Sequence, residues 1–362
     1  MGLFPIRGHT SDAGRGYLTK SLHEGFLGSG STSSDCRSAE TMRQHSIVRG
    51  RFTGRNCNTA AGDTFGPGMA LLWCHFKWAS PVEAPERTIS FCLFTERAQD
   101  MQIKGKTFVV TGGGNGIGRQ VVLGLLRKGA TVAAVDLNGD ALNGTEAEAA
   151  SSSALSIHVI NVTDRQAVAA LFGDVTRLHG QVDGLINVAG IIHRFLPMDD
   201  LSLEECERVL DVNLWGTVNM CKTFLPALRR RPAAAIVNIS SLSALLPFAG
   251  QTFYGATKAA VKQLSEGLYQ ELQGTAVAVT TVFPGNISTD ISGNSGVSAI
   301  DPKGRKAPST TPEATAAMII RGLQKGSFRV LVGTDAKILD TVSRISPRIA
   351  TEFIGRQMKS VL

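Results

Sequence analysis

No run of about 18 apolar residues occurs in this 362-residue chain, so a membrane-spanning helix is not expected. Cysteine is sparse and scattered. The six, at positions 36, 57, 74, 92, 206 and 221, form no C-x-x-C pair, which argues against a metal centre and against a disulfide framework. A reducing compartment, the cytoplasm, is the default that follows. No basic run is interleaved with aromatics. The formal charge of +7 is spread thinly, +2 over residues 1–100 and +5 over the rest, so no nucleic-acid partner is expected. Tyrosine is scarcer still, with three in the whole chain.

Residues 1–68 are rich in Gly, Ser, Thr, Arg and Asn and show no sustained period of 3.6 or 2, the pattern of a largely disordered extension. Met69–Phe76 is apolar but too short to span a membrane, and it lacks the flanks of a secretory signal. Asp12 and Glu24 weigh against a transit peptide, which leaves organelle targeting as a minority reading. The expected organisation is an extension of no assigned function over residues 1–100 and a catalytic domain over 101–335 that starts at Met101. An amphipathic helical tail over 336–362 completes it. In that tail Ser346-Pro347 starts a helix with Ile349, Phe353, Ile354 and Met358 on one face and Arg356 and Lys359 opposite.

Beyond residue 100 the chain alternates. Apolar, β-rich runs at 107–111, 131–136, 155–160, 184–190, 235–241, 276–285 and 329–333 read as strands, with helical periodicity between them. This predicts an α/β fold, a doubly wound, seven-stranded parallel sheet of Rossmann type with helices on both faces. Thr163 or Asp164 is expected to cap one helix, and Thr311, before Pro312, another.

The first strand runs into Thr111-Gly-Gly-Gly-Asn-Gly-Ile-Gly118 and then into a helix. Strand, glycine turn, helix is the unit that sets backbone N–H groups and a helix N-terminus against a pyrophosphate. Gly112, Asn115, Gly116, Ile117 and Gly118 are the candidate contacts. Asp136 ends the second strand, 18 residues after Gly118. A carboxylate there can accept from both adenosine ribose hydroxyls and repel a 2′-phosphate, which favours NAD over NADP.

Among the tyrosines, Tyr254 alone has a lysine four residues on, Lys258, so both lie on one helix face. An ammonium at that distance favours tyrosinate and would draw the phenol down from about 10 toward a working range, making Tyr254 a candidate general acid or base. Ser240, Ser241 and Ser243 lie at the carboxyl end of the fifth strand, where sites in such sheets gather.

TGGGNGIG, with three residues between its first two motif glycines, together with Asn187-Val-Ala-Gly190 and Tyr254-Gly-Ala-Thr-Lys258, resembles the short-chain dehydrogenase/reductase family in its single-domain TGxxxGxG branch, over about residues 103–335. The resemblance implies that Asn161 and Val162 contact adenine, and that Asn187, Ala189 and Gly190 form a turn beside the cofactor. It further implies that Pro284, Gly285, Ile287 and Thr289 bind the cofactor, with Ile287 and Thr289 at its nicotinamide half. Ser241, 13 residues before Tyr254, becomes the catalytic serine that orients the substrate oxygen, with Ser243 in the same pocket and Ser240 structural. Asn213 becomes the holder of a relay water, and Lys258 also holds the nicotinamide ribose. A homodimer or homotetramer is the usual assembly.

The expected activity is transfer of hydride between NAD, or less favourably NADP, and a secondary alcohol or ketone. One rival is a sugar-nucleotide epimerase or dehydratase, which needs a longer C-terminal domain than the residues after 333 supply. The other is a non-catalytic NAD sensor, which has no need of Asn213, Ser241, Tyr254 and Lys258 together. Residues 290–311 are read as a lid, and His193 and Phe195 as lining the pocket mouth, the histidine as incidental to the chemistry.

Overall fold

The computed structural model describes the backbone of residues 56–59, 69–77 and 88–96, and then residues 100–288, 291–297 and 309–358, with Gln357 and Met358 described by backbone alone. In the first hundred residues three strands, β1 (Asn56–Thr59), β2 (Met69–Lys77) and β3 (Thr88–Glu96), form a sheet of that order with β1 antiparallel to β2. Apart from these strands and Asp100, the stretch expected to be of low order lies outside the described residues.

From residue 107 the alternation resolves into seven strands: β4 (Thr107–Thr111), β5 (Thr131–Asp136), β6 (Leu155–Val159), β7 (Gly184–Asn187), β8 (Ala234–Ile239), β9 (Val277–Pro284) and β10 (Arg329–Val332). They form one sheet of order β10-β9-β8-β7-β4-β5-β6, parallel throughout. The chain builds outward from β4 through β5 to β6, then crosses back to place β7 on the other side of β4. That reversal opens a crevice at the carboxyl ends of β4 and β7, where Thr111 pairs with Asn187.

Strand alternation divides the core in two. Phe108 and Val110 of β4 face the cluster formed with α1 (Gly116–Arg127), α2 (Gly139–Glu148) and α8 (Pro312–Gln324), through Val121, Leu125, Leu142, Ile319 and Leu323. Val109 faces the other way, among α3 (Arg165–His179), α5 (Gly216–Leu228) and α6 (Thr252–Glu271), through Leu171, Phe224 and Leu268. Both faces of a central strand are therefore apolar, as a helix-covered parallel sheet requires. Asp183, fully buried just before β7, is held by Arg231 Nε at 2.9 Å, by the Thr107 N–H at 3.0 Å and, more loosely, by Lys106.

The local start signals operate as expected. Asp164 accepts from the N–H groups of Gln166 and Ala167, and Thr311 from Ala314, with Pro312 opening α8. The tail differs. Helix α9 (Thr334–Ile345) leads into α10 (Pro347–Met358), and the buried side of α10 is Ala350 and Ile354, packed on Leu246 with Phe248, Leu339 and Val342. Ile349 and Phe353 are exposed, because the register of α10 on its hairpin partner turns the i, i+4 pair Ala350/Ile354 inward.

Candidate active site

The glycine loop is shaped by steric need. Gly112 and Gly116 take positive φ (67° and 51°), the region that favours glycine. A Cβ on Gly118 would stand 1.9 Å from the Gly112 carbonyl oxygen, and one on Gly112 would stand 2.9 Å from the Ala189 nitrogen. The first requirement brings α1 against the strand end; the second lets the loop touch the turn after β7. Thr111 completes that junction, its Oγ1 accepting from the N–H groups of Val188 and Ala189, each at 3.1 Å. Asn115 precedes α1 without a side-chain cap, so the N–H groups of the helix start remain available to a ligand.

The crevice is a cavity of about 510 Å³. Of the residues expected at a cofactor, Gly112, Asn115, Gly116, Ile117, Gly118, Asp136, Asn161, Val162, Ala189 and Gly190 line it. The Asp136 carboxylate stands at its edge, Oδ2 accepting from Gly114 N–H at 2.9 Å and Oδ1 from Asn138 N–H at 3.0 Å. Uncapped helix N–H groups as donors, a glycine-rich turn and a terminal carboxylate as acceptor form a set that fits a dinucleotide.

Asn187 is placed differently from the expectation. Its side chain points into the core, where Nδ2 donates to Asn238 Oδ1 at 2.8 Å beside Cys221. Burial pushes that thiol up to about 12. Pro284, Gly285 and Ile287 lie at the end of β9 and are not among the residues lining this cavity. They are tied down by residues that local pattern does not reveal: Ile287 pairs with Thr310, and the Asn286 N–H donates to Asp335 Oδ2 at 2.8 Å. Thr289 lies outside the described residues, as does most of the expected lid. Within the described part, helix α7 (Ile291–Asn294) lines the cavity through Ile291, Gly293 and Asn294, and Asn294 Oδ1 accepts from Asn115 Nδ2 at 3.3 Å. Leu137, Val188, Ile191 and Val212, apolar residues with no chemical signature in the sequence, also line it, as does Asn138, the cap of α2, whose Oδ1 accepts from the Ala141 N–H at 3.0 Å.

Beside this crevice the catalytic candidates converge. Lys258 is buried, its Nζ donating to the Ile239 carbonyl at 3.1 Å and standing 5.9 Å from the Tyr254 ring centroid. A Cβ on Gly190 would fall 2.9 Å from that Nζ and 3.1 Å from Asn213 Oδ1, so the turn after β7 closes directly over both. Asn213 is fully buried in a π-type segment, Asp211–Trp215, between α4 (Leu203–Leu210) and α5. Such a bulge shifts side-chain register at functional positions. Here it aims the amide at Ile191, accepting from its N–H at 2.8 Å and donating to its carbonyl at 3.0 Å, and at Thr257 Oγ1 at 3.1 Å. Ser241 Oγ accepts from the Ser243 N–H at 3.1 Å, and Ser240 Oγ donates to the Lys258 carbonyl at 2.8 Å, a structural contact as expected.

The electrostatics depart from the expectation for Tyr254. Burial pushes the phenol up, and a hydrogen bond to Ser241, not the Lys258 ammonium, works against it. Burial also brings Lys258 down to about 8. Both groups therefore resist their charged forms in the protein alone.

Residues 106–298 match the family model for short chain dehydrogenases. A Mycobacterium tuberculosis protein named as an oxidoreductase, SadH, is 36% identical over 252 residues, spanning 67% of this chain and 91% of its own length. A solved short-chain dehydrogenase from Burkholderia cenocepacia, in complex with NADP, is 26% identical with a TM-score of 0.60, covering 70% of this chain and 99% of that one. Another from Burkholderia phymatum, in complex with NAD, has a TM-score of 0.62 at 22% identity, covering 69% and 97%. The chain belongs to the short-chain dehydrogenase/reductase family, whose members are oxidoreductases that bind nicotinamide cofactors.

Proposed function

We propose that the protein transfers hydride between a nicotinamide cofactor, preferentially NAD, and a secondary alcohol or ketone, with Tyr254 as general acid/base. The observation that carries this reading is the convergence of Ser241, Tyr254 and Lys258 beside the glycine-loop crevice. The Asp136 carboxylate at the crevice edge favours NAD. The two solved relatives divide between NAD and NADP and do not decide the preference. The domain that does this is assigned to residues 101–335.

Bound NAD would supply the hydride acceptor, and its reduced form the donor. Loop N–H groups and the α1 N-terminus hold the pyrophosphate, and Asp136 the adenosine ribose. Asn161 and Val162 flank the adenine. Asn187 acts through its place in the β7 turn, its side chain being spent on the core, while Ala189 and Gly190 present backbone to the nucleotide. Pro284, Gly285, Ile287 and Thr289 form the wall for the nicotinamide half.

On the substrate side, Ser241 donates to the reacting oxygen, and Ser243 lines the same pocket. Tyr254 takes the hydroxyl proton in oxidation and returns it in reduction. Because burial opposes tyrosinate, Lys258 in its protonated form would be the group that brings the phenol into range once the cofactor is bound. Lys258 also holds the nicotinamide ribose. Asn213 fixes Ile191 with its side chain, leaving the bulged backbone around it to hold the relay water. The assembly is assigned as a homodimer or homotetramer.

The test is turnover of a panel of secondary alcohols with NAD and with NADP, by native protein and by Tyr254→Phe. Turnover by native protein, lost in the variant, supports the reading. Tight NAD binding without turnover of any alcohol, indifferent to the substitution, would establish a sensor instead.

A further inference from the structure

His193 follows the turn after β7 and is only 1% exposed. Its Nδ1 lies 2.6 Å from the Arg194 carbonyl oxygen, and its Nε2 lies 3.2 Å from the backbone nitrogen of Tyr254. A carbonyl can only accept and a backbone N–H can only donate. The proton is therefore on Nδ1 and the lone pair on Nε2: a neutral imidazole in one tautomer.

Tyr254 is the third residue of α6, and the residue ahead of that helix, Gln251, makes no capping bond with its side chain. The Gln251 amide instead donates from Nε2 to the His193 carbonyl at 2.8 Å. The acceptor that a Ser or Asp normally supplies from the cap position comes here from an imidazole 61 residues upstream. The segment bearing it is fastened on both sides: Ile191 by Asn213, Ile192 N–H to Ser295 Oγ at 3.0 Å, and Leu196 N–H to the Gly250 carbonyl at 3.3 Å.

We propose that His193 is a positioning residue for Tyr254: its neutral imidazole, accepting from the Tyr254 N–H, locks the first turn of α6 to the cofactor-side turn and so fixes the phenol against Ser241. This rests on Tyr254 as the general acid/base. The lock reaches the chemistry without touching substrate, so its loss shows in kcat and not in cofactor affinity.

The variants are His193→Leu, of similar bulk without an acceptor, and His193→Gln, whose amide oxygen reaches about as far as Nε2. The expected result is a kcat about tenfold or more lower in the leucine variant, with KM for NAD within about twofold, and rescue by glutamine to within about threefold of native. Equal kcat in the two variants, or a loss confined to KM for NAD, overturns the proposal. If native protein turns over no alcohol, the functional reading fails on its own. The lock is then judged by amide hydrogen exchange at residues 252–256, where acceleration in the leucine variant alone supports it and unchanged exchange refutes it. If the leucine variant does not fold, nitrogen NMR of histidine-labelled native protein decides, with the His193 signals assigned by their absence from the glutamine variant. Protonated Nδ1 with bare Nε2 supports the lock; protonated Nε2 overturns it.

Discussion

The two ends of the site are built by different means. At the glycine-loop end, Gly112, Gly116 and Gly118 act through backbone that turns or approaches too closely for any Cβ, and all lie within one short stretch. At the proposed catalytic end, side chains from separate elements are held by side-chain hydrogen bonds: Asn213 to Ile191, Lys258 to Ile239 and His193 to Tyr254. A lesion at the first end should therefore be a failure of binding and packing, and a lesion at the second a failure of turnover.

Tyr254→Phe makes the strongest contrast. Removal of the proposed proton-transfer group is expected to lower kcat by about 10²–10⁴-fold, while the NAD dissociation constant, measured by calorimetry, stays within about twofold. If affinity collapsed with turnover, the two ends would be one unit. Gly118→Ala is the converse lesion: a methyl group driven at the Gly112 carbonyl should cost about 1–3 kcal/mol in denaturant unfolding and weaken NAD binding. Asp136→Asn then probes selectivity, with KM for NAD rising about tenfold and the gap to NADP narrowing; an unchanged cofactor ratio would remove Asp136 from the ribose.

Lys258 sharpens the contrast through pH. Folded, it loses its proton at about 8 against an ordinary 10.5, so between those values the unfolded chain binds more protons and native stability rises with pH. Lys258→Met should lack that rise, of the order of 2 kcal/mol, in urea melts at pH 7.5 and 10. Parallel pH dependence in the two proteins would place the lysine in solvent. Thr111→Val strips the acceptor from the Val188 and Ala189 N–H groups and should destabilise by about 1–3 kcal/mol.

How far the sequence could be read depended on the range of the cause. Strand β4 and helix α8 are legible from local pattern because a continuous apolar run and capping chemistry are local. The α10 face was misjudged: Ile349 and Phe353 carry the apolar signal, but the hairpin register seats the smaller Ala350 with Ile354. Asp335 and Thr310, which fasten the segment after β9, carry no motif at all. The contact of His193 with the Tyr254 N–H has no local signal, because nothing near the histidine in sequence marks a helix N-terminus.

By itself the sequence determined the doubly wound α/β domain, the glycine turn at its crevice and the family, since alternation, glycine and Tyr-x-x-x-Lys spacing act over a few residues. The tertiary structure alone decided which way Asn187 points, that Tyr254 is raised and Lys258 lowered by burial, and that an imidazole caps α6. Desolvation and long-range hydrogen bonds depend on what surrounds a group in three dimensions, and adjacency in the chain carries no record of that.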